Sequence, residues 1–522
     1  MVMTEATAQG AAAREPIAVT CPADGHVVGH VPAMSFAEVA ATAEALRGAQ
    51  AEWEAIGPRG RAVWLARWRD WLLDNRERLL RLVQEESGKS WGDTAGELQV
   101  CAEVINYYTV TAERHLAARS PRPFGLIAKA KRLNVSYRPH QLVGVISPWN
   151  YPLAMPMMDI AAALMAGCAV LSKPSEVAPL AWGEAVRGLT EDLGAPAVIA
   201  CVTGGADAGE AVVDLVDMVQ FTGSVPTGRK VGARAGARLI PCSLELGGND
   251  AMLVLADANI ERAAGGATWG GLFNAGQSCI AVERIYVEAP VHDVFVERVV
   301  ERVRELRQGM DAPGAFETEV GAVATSAQLE LVQRHVDDAV AKGARVLTGG
   351  HAAPDGLFFE PTVLADVDHG MECMREETFG PLLPIMRVAD TDEAVDLAND
   401  SSYGLSATVW TQDRDRGAEL ARRLEVGAVL VNDAMANIFQ LEAPHGGWHD
   451  SGVGSRYGGA DGLRKYCRTQ ALLTGRVDLE SEVQWYPYSR AKGRRLGRLS
   501  LLVGARDWRR RLGLPAGRKG PS

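Results

Sequence analysis

The residues that could do chemistry in this sequence stand out by their company. Cys279 closes the stretch NAGQSC (Asn274 to Cys279), a run of small and polar residues where a packed core would supply Leu, Ile or Val. A free cysteine is by default a small buried hydrophobe, so a thiol in such surroundings raises the question of a nucleophile. Lys173 directly follows the apolar run AVLS and precedes a proline in KPSE (Lys173 to Glu176), which is no place for a random solvated charge. Glu176, three residues on, supplies a carboxylate able to accept hydrogen bonds from ribose hydroxyls. In TGSVPTG, Gly223 and Gly228 flank Ser224. A glycine turn that opens a helix presents N–H groups and the positive end of the helix dipole to a phosphate. It is not the GxGxxG fingerprint, and ordinary turn glycines explain it about equally well.

These stretches need elements to position them. The first hundred residues read as helices, with apolar positions recurring at three and four in AATAEALRGAQAEWEAIG and in RAVWLARWRDWLLDNRERLLRLVQEESGK. Lys89 follows the stop signal SG. Gly125 to His140 alternates weakly and predicts a β-ribbon. Beyond it LVGVIS, CAVLSK, AVIACV and DMVQFT are short, mostly apolar and separated by helical segments, the pattern of a parallel sheet covered on both faces. A second series runs through AMLVLAD, ERIYVE, ARVLTGG, FFEPTVL, LLPIMRV and GAVLVND, predicting two α/β units in tandem, the first ending near LELGGN. PWNYP, KPSE and TGSVPTG all follow strands, at the carboxyl ends where open parallel sheets bind ligands.

At 522 residues the chain is too long for one ordinary core, and two or three domains are expected. Its eight cysteines form no CxxC or Cys/His cluster, and its histidines show no ligand spacing, so neither a disulfide scaffold nor a metal is implied. With no secretory h-region and no apolar span near bilayer length, a reducing cytoplasm is the expected location. From Ser489 on, eleven basic residues stand against Asp507, a charge of +10; the chain total is −11, so the body before it carries −21. An acidic body argues against a nucleic-acid surface.

Taken together, SPWNYP, KPSE, FTGS, LELGGN, NAGQSC, EETFGP, NDSSYGLSA and HGGWHDSGVGSRYG resemble the aldehyde dehydrogenase superfamily, in that family's order and from about Pro22 to Gly475. The 34-residue step from Glu245 to Cys279 matches the family's catalytic pair. Within the superfamily the chain looks most similar to bacterial succinate-semialdehyde and general aldehyde dehydrogenases. The resemblance implies an α/β protein: a Rossmann-like NAD-binding domain (1–121 and 142–247), a second α/β catalytic domain (248–465), and a small β-ribbon (122–141 and 466–484) that builds homodimers or homotetramers. A basic C-terminal tail (485–522) follows.

The resemblance also implies roles. Cys279 attacks the aldehyde, Asn150 and the Cys279 N–H stabilise the oxyanion, and Glu245 activates the water that hydrolyses the thioester. Glu377 and Phe379 hold the nicotinamide end of the cofactor; Lys173 and Glu176 hold the adenosine ribose. Trp149, Gly205, Gly223, Ser224 and Leu246 line its path. Glu176 favours NAD over NADP, because its charge repels a 2′-phosphate. Members specific for succinate semialdehyde carry arginines at the positions occupied here by Met158 and Phe273. Tyr151, Ala154, Met155, Met158, Ile280 and Phe439 give an apolar tunnel, so apolar aliphatic or aromatic aldehydes are expected, with succinate semialdehyde as the alternative. His445 departs from the family's PFGG and stands where an aromatic wall is expected.

Two other classes are weighed. A thiol hydrolase has no use for KPSE, FTGS and EETFGP, and a catalytically dead structural relative has no use for Asn150, Glu245 and Cys279 together. For the tail, three readings stand: a solvated extension, a basic amphipathic segment on an anionic membrane surface, or an arm on the acidic body of a neighbouring subunit.

Overall fold

A computed structural model describes residues 14–124, 128–477, 480–482 and 485–514. The chain divides into two compact units, Met1–His115 with Pro139–Cys467, and Leu116–Arg138 with Arg468–Ser522.

In the first unit an antiparallel pair, Ile17–Thr20 with Val27–Val31, comes first, and four helices then precede the two large sheets: Phe36–Ala55, Gly57–Asp74, Arg76–Ser87 and Trp91–Leu116. The first of these helices starts on a capping box in which Ser35 and Glu38 satisfy each other's backbone N–H. The third stops at Gly88, whose φ of 67° closes a left-handed cap, as the SG signal predicted. Buried indoles tie this layer down: Trp53 donates to Leu164 O and Trp68 to Ala185 O, each at 2.9 Å.

The six-stranded sheet runs, edge to edge, Gly452–Val453, Cys242–Glu245, Met218–Thr222, Leu142–Ile146, Ala169–Lys173, Ile199–Cys201. All pairings are parallel except that of Gly452–Val453, which is antiparallel to Glu245 and Leu244. The chain thus returns to the first sheet after passing through the second, and residues grouped by sequence with 248–465 complete the edge beside Glu245. Three helices matter for the site: α1 (Ala154–Ala166), α2 (Ala206–Leu215) and α3 (Val225–Ala237). Every residue of α1 is buried, and Asp159 is its one charge.

The seven-stranded sheet runs Arg345–Thr348, Thr362–Ala365, Leu382–Val388, Val282–Glu288, Asp250–Val254, Ser406–Trp410, Ala428–Val431. Two features differ from the predicted series. Arg345–Thr348 is an antiparallel edge strand, and Ser406–Trp410 is a fully buried strand beside Asp250–Val254. The latter begins on the last two residues of NDSSYGLSA and runs past it, and it escapes notice because Ser406 and Thr408 interrupt its apolar run.

In the second unit Lys131–Pro139 pairs with Cys467–Gly475, the ribbon expected from the sequence, shorter at its start; residues 125–127 lie outside the described ones. The tail forms helix α4 (Arg490–Gly504) and the short α5 (Trp508–Arg511). Among the described residues no helix is long and apolar enough to cross a membrane.

Candidate active site

The loop that carries Cys279 is bent in a way few residues tolerate. Asn274, Ala275 and Gly276 all have positive φ (56°, 53° and 72°), so three successive left-handed residues follow the helix Ile260–Leu272. A side chain at Gly276 would place its Cβ 2.0 Å from Gly380 O, which is why that position is glycine. Side chains hold the bend. Asp93 accepts from Asn274 N at 3.1 Å, Gln277 Nε2 donates to Asn274 O and Ala322 O, and Ala324 N donates to Gln277 Oε1. The loop is also tied to Asn150: Asn150 Nδ2 donates to Gln277 O at 3.0 Å and Asn274 Nδ2 donates to Asn150 O at 3.0 Å. Asn150 Oδ1 is buried and meets no donor among the described residues.

Cys279 and Asn150 open on a cavity of about 280 Å³, lined also by Trp149, Met155, Gly223, Ser224, Leu246, Glu377 and Phe379. Trp149 and Phe379 meet edge to face, with centroids 5.5 Å apart. Trp149, Gly223 and Ser224 also line a second cavity of about 450 Å³, together with Lys173, Glu176 and Gly205. Each of the nine expected cofactor residues therefore lines one or the other of these two cavities. Of the expected substrate residues, Met155 borders the first cavity. Ile280 packs with Leu405 and Met435 behind Cys279. Tyr151 stacks on Phe273, with the Lys89 ammonium 4.4 Å from its ring. Met158 is buried, Phe439 is exposed, and His445 stacks on Tyr457 at 4.8 Å.

The two cavities carry groups suited to the parts of a dinucleotide. Gly205 and Ser224 hold the N-cap positions of α2 and α3 without a side-chain cap bond, and N–H groups at such helix starts suit phosphate oxygens, although Ala208 N of α2 already donates to Asp207 Oδ1 at 2.9 Å. Lys173 Nζ donates to Pro174 O at 3.1 Å and lies 3.4 Å from Glu176 Oε2. At the other end Glu377 accepts from Gly248 N at 2.8 Å, and a Cβ on Gly247 would come within 2.3 Å of Glu377 Oε2. Glu283, which sequence reasoning passed over, accepts from Thr378 N (2.9 Å) and Phe379 N (2.7 Å) and so fixes the turn that carries Glu377 and Phe379.

Electrostatically the centre is dominated by burial. It pushes the Cys279 thiol up to about 12, with Arg456 opposing. Glu245, 2% exposed, is pushed to about 8 by burial, while Arg456 and Lys465 pull it down and Asp159 raises it. Arg456, Lys465 and Asp159 form a buried charge cluster that the sequence reading missed. Asp159 lies 3.7 Å from Arg456 Nε and 3.5 Å from Lys465 Nζ, and Lys465 also donates to Gln220 Oε1 at 2.7 Å. Its signal was present: one acid in the apolar stretch AMPMMDIAAALMA needs a buried cation. His445 is pushed down to about 3 by burial, with Arg456 and Lys465 adding to the effect, and so stands neutral.

Among the described residues two groups bring ligand-type atoms together, Cys21–Asp24–His26 and His335–Glu372–Glu376. Both are engaged already: Asp24 with His26, both glutamates with Arg334, and His335 Nδ1 with Thr378.

A thiol, an amide that lines the same cavity, a buried carboxylate and an adjoining cavity with phosphate- and ribose-binding groups can support oxidation through a covalent adduct. The aldehyde dehydrogenase family profile matches residues 9–472. A Mycobacterium ulcerans protein provisionally named succinate-semialdehyde dehydrogenase [NADP(+)] 2 is 42% identical over 455 residues, 86% of this chain and 86% of that one. A Methylomonas protein named 4,4'-diapolycopene aldehyde oxidase is 39% identical over 478 residues, 91% of this chain and 88% of that one. The NAD+ complex of a Bacillus cereus aldehyde dehydrogenase superposes with a TM-score of 0.84 at 31% identity, covering 89% of this chain and 94% of that one. The chain belongs to the aldehyde dehydrogenase family.

Proposed function

We propose that the protein oxidises aldehydes to carboxylic acids through a covalent intermediate on Cys279, with NAD as preferred oxidant and apolar aldehydes as preferred substrates. The observation that carries this reading is that Cys279 and Asn150 share one cavity with Glu377, Phe379 and Trp149. Cys279 loses its thiol proton to a base or to water, its sulfur attacks the carbonyl carbon, and the carbonyl electron pair moves onto oxygen. Asn150 Nδ2 and the Cys279 N–H donate to that oxyanion, each worth about 3 kcal/mol. Lys173, Gly205, Ser224 and Glu377 would hold the dinucleotide, which would supply the hydride acceptor; as the hydride leaves the former carbonyl carbon the C=O re-forms and a thioester remains on Cys279. Glu245 then takes a proton from the water that attacks the thioester, which releases the acid and frees the thiol.

Glu176 supports NAD, since a 2′-phosphate beside its carboxylate meets like charge. The NADP(+) in the name of the Mycobacterium relative favours the other reading. For the substrate, Met155 and Leu246 give the cavity an apolar wall. Lys89 pairs with Glu97 and Lys465 with Asp159, whereas Arg456, 3.7 Å from Asp159 and against Met155, keeps its Nε without a hydrogen-bond partner among the described residues and is the cation a substrate carboxylate would have to use. The Methylomonas relative, named for a diapolycopene aldehyde, supports an apolar substrate; the Mycobacterium relative's name supports succinate semialdehyde. The ribbon, with Leu472, Leu473 and Val477 exposed, is the surface through which copies would pair as a homodimer or homotetramer. Eight free cysteines suit a reducing cytoplasm. The test is a panel of hexanal, benzaldehyde and succinate semialdehyde against NAD and NADP. A higher kcat/KM for the apolar aldehydes with NAD is expected; a ranking led by succinate semialdehyde with NADP overturns both preferences.

A further inference from the structure

The C-terminal helices leave apolar side chains uncovered where a soluble surface would present polar ones. Along α4, Arg490, Arg494 and Arg498 recur every fourth residue and form a basic stripe, while Leu496, Leu499 and Val503 recur at three and four and form an apolar one. Leu496 and Leu499 are partly covered, but the apolar character then spreads around the last turn and across α5. Val503 is 51% exposed, Trp508 62% and Leu512 66%, and Leu501, Leu502 and Leu514 are about as open. Between and beside them stand Arg506, Arg509, Arg510 and Arg511, with the Arg509 guanidinium 5.6 Å from the centre of the Trp508 ring. The one acid, Asp507, is used to cap α5, accepting from Arg509 N at 3.0 Å.

We propose that the corner made by α4 and α5 docks the protein on an anionic lipid bilayer. Six open apolar side chains with arginines among them match a headgroup boundary, where the rings and aliphatic groups enter the acyl region and the guanidiniums meet phosphates. Tryptophan favours that depth in particular. An acidic protein surface would satisfy the arginines but leave the leucines and Trp508 uncovered. The corner lies beyond residue 472, where the family profile ends, so the oxidation chemistry does not require it. Its purpose rests on the apolar-aldehyde reading, since such substrates concentrate in bilayers; its chemistry does not.

The test is co-sedimentation of the full chain with vesicles of phosphatidylcholine alone and of phosphatidylcholine mixed with phosphatidylglycerol. The chain should pellet with the mixed vesicles at low salt and stay in solution with the neutral ones. W508E/L512E should abolish pelleting, and each of Arg509→Ser, Arg510→Ser and Arg511→Ser should weaken partition roughly fivefold. The oligomeric mass of W508E/L512E by light scattering should equal that of the parent. No pelleting with either vesicle, pelleting retained by W508E/L512E, or a changed mass that places the corner between copies would each overturn the proposal. Hexanal oxidation measured without vesicles tests the substrate reading separately.

Discussion

His445 Nε2 stands 4.0 Å from Glu245 Oε2, with both side chains almost fully buried. The imidazole, held neutral by burial, lends Glu245 no positive charge; Arg456 and Lys465 do that. Glu245 must be deprotonated to act as a base, and burial raises it to about 8. Its active form is therefore present above that pH and lost below it, so kcat should rise through pH 8. Lys465, pushed down to about 8 by burial, titrates in the same window, so the limb belongs to Glu245 and Lys465 together. Arg456→Met should move the limb to higher pH by about one unit, and His445→Phe should leave it in place. A limb that follows His445 instead would remove Arg456 as the controlling charge; melting temperatures of both variants separate this from loss of fold.

Replacing Glu245 with Gln keeps the shape of the side chain but removes the base. Stopped-flow traces should show a burst of reduced dinucleotide close to one per active site, then turnover slowed about 10²–10⁴-fold. Uniformly slow kinetics without a burst would place Glu245 before hydride transfer.

Asn150→Ala should lower kcat by about 10²–10³ with little change in the dinucleotide KM, as expected for a lost oxyanion donor. Because Asn150 also ties down the Cys279 loop through Gln277 O and Asn274, a modest fall in melting temperature should accompany it. An unchanged kcat would show that the Cys279 N–H suffices.

Gly247→Ala places a methyl group within reach of the Glu377 carboxylate, which can swing aside but loses its bond from Gly248 N. The dinucleotide KM should rise several-fold while stability stays near the parent's. Glu176→Ser should narrow the gap between NAD and NADP; if it does not, the adenosine ribose lies elsewhere in the second cavity.

Much of this architecture was legible because strand ends, glycine turns and the cysteine loop are local patterns. KPSE and TGSVPTG could be placed beside a phosphate from their position after apolar runs, and the structure puts Lys173, Glu176 and Ser224 on one cavity. What escaped depends on pairs distant in sequence. Nothing local says that Asp159 meets Arg456 and Lys465, some three hundred residues away, or that Glu283 holds the turn at Phe379. Nor does local pattern show that residues 452–453 return to the first sheet. His445 shows the limit from the other side: its substitution into a familiar stretch was visible, but its neighbour Glu245 was not.

The central claim is a covalent acyl group on Cys279. In Glu245→Gln mixed with hexanal and NAD and quenched after one turnover, mass spectrometry of the peptide containing Cys279 should show the added mass of a hexanoyl group, absent when NAD is omitted. Full-length protein without that adduct, alongside a Cys279→Ala variant that still oxidises hexanal, would contradict the account.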